Sequence, residues 1–139
     1  MTPLLSSDLA AELLARGHAV RLRALGGSMR PWMRPGVVVT LVPVADRAGL
    51  RIGEVVLAIC DGRPTLHRIV RVMPDLRLKG DALGYLDPPP QAVLGRVDDS
   101  GGLRDQLIAR LSRTLCPVQR VLTLLICAFR SRRPRGHSA

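Results

Sequence analysis

The sequence predicts a mainly β fold with helices added at both ends. Residues Val20, Leu22 and Ala24 alternate with Arg21 and Arg23, the period-two pattern of a half-buried strand. Short apolar runs then follow one another between turn residues, and Asp61-Gly62 between two of them is a strong hairpin signal. Beyond Gly102 the period changes: Leu103, Leu107, Leu111 and Leu115 recur every four residues, which is helical spacing.

Taken in order, Ser6 or Ser7 can cap a first helix, with Asp8 in the first turn where the helix dipole favours an anion. Leu9 and Leu13, and Ala10 and Leu14, recur along it, and Gly17 is the expected stop. The strand at Val20 feeds a turn, Gly26-Gly27-Ser28-Met29-Arg30-Pro31. Val37 to Val44 is an unbroken apolar run, expected to be a strand buried on both faces. Further strands are expected over Glu54 to Cys60, Thr65 to Val72, Leu76 to Lys79 and Ala92 to Val97. Asp98 to Gly102 is a charged, Gly-rich joint and the one credible internal boundary, dividing the chain into 1–98 and 99–139. After it comes an amphipathic helix with its leucines on one face, broken at Cys116-Pro117. A second helix is expected from Val118 to Phe129, followed by a basic tail, Arg130, Arg132, Arg133 and Arg135.

Composition narrows the classes of function. A chain of 139 residues is one domain by length, and its hydrophobic share of 47% suffices for a core. Aromatic residues make up 2%, so that core is aliphatic and offers little for nucleobases to stack on. The net charge of +10 favours an anionic partner, yet no helix-turn-helix or zinc-knuckle spacing appears, so nucleic acid is not the expected one. An anionic membrane surface, met by the C-terminal helices and the Arg tail, is the alternative. The three cysteines Cys60, Cys116 and Cys127 are widely spaced and odd in number, which favours buried thiols in a reducing compartment. Asp8 and Glu12 interrupt any signal-peptide pattern, and no apolar run approaches the ~20 residues needed to span a bilayer. The expected location is cytoplasmic, or peripheral at the inner face of the membrane. No cofactor and no metal ligand set is read from the sequence.

Two pieces carry chemistry. Ser28 stands in the Gly-rich turn, and His67 follows some forty residues later in the strand Thr65-Leu66-His67-Arg68-Ile69-Val70. A serine hydroxyl is a poor nucleophile until a base takes its proton, and an imidazole on a strand suits that task. An acid in the loop after the next strand can orient the ring, and Asp81 and Asp87 are the two candidates. Lys79, the single lysine, is an alternative base. His18 and His137 read as surface or tail residues.

These residues resemble a family. Gly27-Ser28-Met29-Arg30-Pro31 ahead of a β-run is similar to the serine box of signal peptidases and the related self-cleaving SOS-type repressors. Gly53-Glu54-Val55-Val56 resembles their Gly-Asp-Val-Val strand start, and Leu94-Gly95-Arg96-Val97 their closing strand. The strand holding His67 looks like the general-base strand of the endoplasmic-reticulum-type enzymes, which carry histidine in place of the bacterial lysine. Lys79-Gly80-Asp81 with Asp87 beyond is similar to the Lys-Gly-Asp box and its second acid. The resemblance spans about Val20 to Val97, in order.

It implies a signal peptidase/SOS-repressor-like β catalytic core, here with an N-terminal helix and two C-terminal helices. Ser28 would be the nucleophile of a serine endopeptidase acting through an acyl-enzyme, and His67 its general base. Asp87 would complete the triad, with Asp81 assisting or holding the loop. The Ser28 N–H would be an oxyanion donor, and Met29 and Trp32 would contact substrate. Three positions depart from the family: Gly26 replaces a hydroxyl residue that supplies a second oxyanion donor in many bacterial members, Ala82-Leu83 replaces a polar pair, and Leu86 replaces an acid. No membrane anchor is read ahead of Val20, so a cytoplasmic or membrane-surface peptide is the expected substrate. The alternatives are a non-catalytic peptide-binding relative and a basic membrane-surface adaptor.

Overall fold

The computed structural model describes residues 6–114. The expected second C-terminal helix, Val118 to Phe129, lies outside them, as do the basic tail, Cys116, Cys127 and His137. Helix α1 (Ser7–Ala15) precedes strands β1 (Val20–Ala24), β2 (Val37–Pro43), β3 (Val55–Cys60), β4 (Arg63–Arg71), β5 (Arg77–Lys79) and β6 (Ala92–Val97). Helix α2 (Leu103–Thr114) follows, and a single 3₁₀ turn, Arg47–Gly49, lies between β2 and β3. The six strands form one antiparallel sheet in the order β1-β2-β6-β3-β4-β5. No helix among the described residues is long and apolar enough to cross a membrane.

Helix α1 is bounded as its end residues dictate. The Ser6 hydroxyl accepts from the Leu9 amide, and Gly17, at φ +86°, closes the other end. There the amides of Gly17 and His18 donate to the carbonyls of Leu14 and Leu13, so two otherwise orphaned carbonyls are satisfied. Ala10 and Leu14 are buried against Val20, Leu22, Val39, Leu41 and Leu57.

Strand β3 divides the interior. Leu57 points into the cluster under α1, whereas Val56, Ala58 and Cys60 point into a second cluster with Leu50, Ile69, Leu78 and Val93. That two-sided burial belongs to a central strand, flanked by β6 and β4. The expectation of the same for β2 is not met. Val39 and Leu41 are buried on one face, but on the other Thr40 is exposed and Val38 and Val42 are only half-buried, so that face is partly open to solvent. The Asp61-Gly62 hairpin forms as expected: both residues take positive φ, +50° and +74°, between the paired Cys60 and Arg63.

Helix α2 turns its leucines away from the sheet. Asp105, part-buried, with Ile108, Ala109 and Ser112 forms its inner side, while Leu103, Leu107 and Leu111 face outward. The reason is electrostatic. Two buried cations, Arg68 on β4 and Lys79 on β5, lie beneath the helix, and its Asp105–Ser112 side supplies each with a further partner. Arg68 Nη1 bonds the Asp105 carboxylate at 2.6 Å and Lys79 Nζ donates to Ser112 Oγ at 2.7 Å. Added partners for buried charges outweigh three leucines left in water. Gly53, at φ +98°, lets the helix approach closely, since a Cβ there would stand 2.7 Å from the Gln106 amide nitrogen.

Candidate active site

Ser28 and His67 meet although they are far apart in sequence. The turn after β1 carries Ser28 back over the sheet, and β4 presents His67 opposite Val56 in its register with β3. Ser28 Oγ lies 3.0 Å from His67 Nε2. The other ring nitrogen, Nδ1, shares a short hydrogen bond with Asp87 Oδ2. With Nδ1 protonated toward the carboxylate, Nε2 is free to accept the serine proton. His67 and Asp87 are each only 6% exposed, so their contact is shielded from water, whereas Ser28 is half-buried and reachable.

Asp87 is placed by its own backbone. Its amide donates to the Leu78 carbonyl of β5 at 2.9 Å, and Arg77 Nη1 donates to the Asp87 carbonyl at 3.3 Å. Asp81, the other candidate acid, faces elsewhere. Its carboxylate receives Arg68 Nε and Nη2 in a two-pronged contact at 2.8–3.1 Å. Burial disfavours the charged Arg68 guanidinium, but Asp81 and Asp105 outweigh that and hold its pKa above the ordinary value. Asp81 therefore stands as the anchor of a buried ionic cluster, and the acid at the imidazole is Asp87.

The Lys79-Gly80-Asp81 stretch acquires a separate physical reason for each residue. Lys79 reaches α2 through Ser112, and Asp81 binds Arg68. Gly80 lies against Ser28 and His67: a Cβ there would be 2.8 Å from the Ser28 carbonyl oxygen and 3.0 Å from His67 Nε2. The loop beyond is strapped to the serine turn by the Ala82 amide, which donates to the Ser28 carbonyl at 2.8 Å. Arg68, Asp105 and Ser112 were not among the residues expected at the site. The signal for Arg68 was a cation inside the apolar strand Leu66 to Val70; Asp105 and Ser112 gave none, because nothing local to the helix tells which side of it meets the sheet.

Ser28 and His67 open into a cleft of about 320 Å³. Its apolar lining comes from Leu22, Met29, Met33, Leu57 and Leu66, and Ala24 to Gly26 and Pro64 to Leu66 form two of its sides. Met29 lines this cleft and is itself buried. Trp32 is not in this lining; it borders a different groove, 47% exposed, with the Arg104 guanidinium 5.4 Å from its ring centre. At Gly26 an added Cβ would meet nothing within 4 Å, so the space for a side chain exists and no donor fills it.

Near Asp87, burial and the neighbouring carboxylate push the Cys60 thiol up to about 11, which keeps it protonated and unreactive at neutral pH. Among the described residues no cluster of His, Cys, Asp and Glu is arranged to hold a metal ion. In comparisons with protein families, curated proteins and solved structures, no match to this chain is found.

Proposed function

We propose that the protein is a serine endopeptidase that cleaves a peptide or leader segment through an acyl-enzyme at Ser28. The observation that carries this reading is the continuous hydroxyl–imidazole–carboxylate contact from Ser28 through His67 to Asp87, opening into an apolar cleft. In this reading His67 Nε2 takes the Ser28 proton as Oγ attacks the scissile carbonyl. Asp87 holds the ring and stabilises the imidazolium, and the same proton is then given to the leaving amine. Water repeats the sequence to release the acyl group. The Ser28 N–H is the oxyanion donor the chain offers.

A peptide substrate fits the walls of the cleft. Strand β1 is an edge strand, and β5 pairs with β4 only from Arg68 onward, leaving the opposite side of Pro64 to His67 open. An extended peptide laid between two such edges satisfies main-chain groups on both sides and sends alternate side chains into the apolar lining. The departures at Gly26 and Ala82-Leu83 support a slower enzyme than one with two oxyanion donors.

The test is labelling by an alkyl fluorophosphonate followed by peptide mapping. Labelling is expected at Ser28, absent in Ser28→Ala and His67→Ala, and reduced by about 10⁴-fold in Asp87→Asn, by analogy with the loss when the orienting acid of a triad is neutralised. Folded wild-type protein that resists the probe would support the alternative, a peptide-binding module without a working nucleophile.

A further inference from the structure

We infer that the outer face of α2 is a docking surface for an anionic lipid bilayer, an inference that does not depend on the chemistry of Ser28. The helix presents Leu103, Leu107 and Leu111 to solvent, 75%, 50% and 57% exposed. Steps of four residues drift only about 40° around a helix, so the three leucines form one continuous stripe. Scattered exposed leucines need no explanation, but a stripe on a helix whose other side is already packed is a second amphipathic face.

The charge around the stripe selects the occupant. Arg104 flanks it on one side and Arg110 and Arg113 on the other, all exposed. The single acid of the helix, Asp105, is turned inward onto Arg68, so the outer face carries cations and leucines together and no carboxylate. The nearest acids in the chain, Asp98 and Asp99, stand in the loop before the helix. Apolar side chains with arginines at their margins match an interface where acyl chains lie below anionic headgroups. Trp32, half-exposed beside Arg104, adds an indole of the kind that settles at headgroup depth. The chain's net charge of +10 works in the same direction at longer range.

Trp32 is the sole tryptophan, so its emission reports contact at this face and nowhere else. The full chain is mixed with phosphatidylcholine vesicles with and without phosphatidylserine, and binding is read by flotation and by Trp32 fluorescence. Binding to the anionic vesicles with a blue shift of Trp32, weakened by salt and absent with phosphatidylcholine alone, is expected. The triple variant L103Q/L107Q/L111Q and the triple variant R104Q/R110Q/R113Q should each lower the partition coefficient at least about tenfold with an unchanged melting temperature. Wild-type protein that ignores anionic vesicles overturns the inference, as does a leucine variant that binds like wild type. Two other results also overturn it. One is a wild-type dimer in sedimentation that the leucine variant dissolves, which assigns the face to a second copy. The other is a large drop in melting temperature in that variant, which assigns it to the rest of this chain.

Discussion

Replacing Gly80 by alanine puts one methyl group against both the Ser28 backbone and the His67 ring. The new Cβ would stand 2.8 Å from the Ser28 carbonyl oxygen, 3.0 Å from His67 Nε2 and 2.8 Å from Leu83 Cδ1. Leu83 can turn aside; the Ser28 carbonyl, already accepting from Ala82, has nowhere to go without carrying the serine with it. Relief to an ordinary separation of about 3.5 Å moves the serine turn away from β5 by roughly half an ångström and presses the imidazole the other way. The Ser28–His67 contact then lengthens from 3.0 Å past the reach of a useful hydrogen bond. Overpacking of this kind costs about 1–3 kcal/mol, which for a chain of this size lowers the melting temperature by roughly 4–12 °C. The rate should suffer more than the fold, by about 10²-fold, because reactivity follows the alignment of the pair. The assay is the second-order rate of fluorophosphonate labelling at Ser28, measured on protein shown by circular dichroism to be folded. A folded Gly80→Ala protein labelled as fast as wild type would refute the argument that Gly80 sets the spacing of the pair.

Three further outcomes follow from other parts of the structure. Arg68→Met leaves Asp81 buried without its bidentate partner and Asp105 without its ion pair, and should destabilise the protein by about 3–5 kcal/mol in urea unfolding; a loss under 1 kcal/mol would show the cluster to be hydrated. Gly26→Ser fills open space beside the nucleophile and, if its hydroxyl reaches the oxyanion position, should raise the labelling rate about tenfold, a small part of the 10²–10³ that a well-placed donor is worth; an unchanged rate would remove Gly26 from the account. Cys60, with its thiol at about 11, should resist iodoacetamide in the folded protein at pH 8, where roughly a thousandth is thiolate, and react on denaturation. Rapid alkylation of the native Cys60 peptide, followed by mass spectrometry, would contradict its burial.

Much of the sheet was legible because its signals are local. The alternation at Val20 to Ala24, the Asp61-Gly62 turn and the runs at Val55 to Cys60 and Ala92 to Val97 each depend on a few adjacent residues. Ser28 and His67 were legible as a pair to be brought together, whereas the residues alone left Asp81 and Asp87 both open and only the family resemblance favoured Asp87. Both acids sit in the loop after β5, and only the third dimension shows that Arg68 has taken one of them. The orientation of α2 was left open by the sequence for a related reason. Leucine spacing reports which face is apolar, but the buried face was decided by Arg68 and Lys79, cations supplied by two distant strands. The burial of β2 was overestimated because an apolar run does not say what packs against each face of its strand.

The Gly-rich joint before α2 resembles a place where the chain could be cut, yet the contacts across it argue otherwise. Removing everything after Val97 would take away the Asp105 carboxylate from Arg68 and the Ser112 hydroxyl from Lys79. It would also uncover both cations, each at most 1% exposed, to whatever solvent the opened surface admits. The strand that holds His67 is the strand that holds Arg68, so the damage would begin one residue from His67. Helix α2 thus serves the β-sheet as a counter-ion does a salt crystal: it is separate in sequence but required for the charge to close.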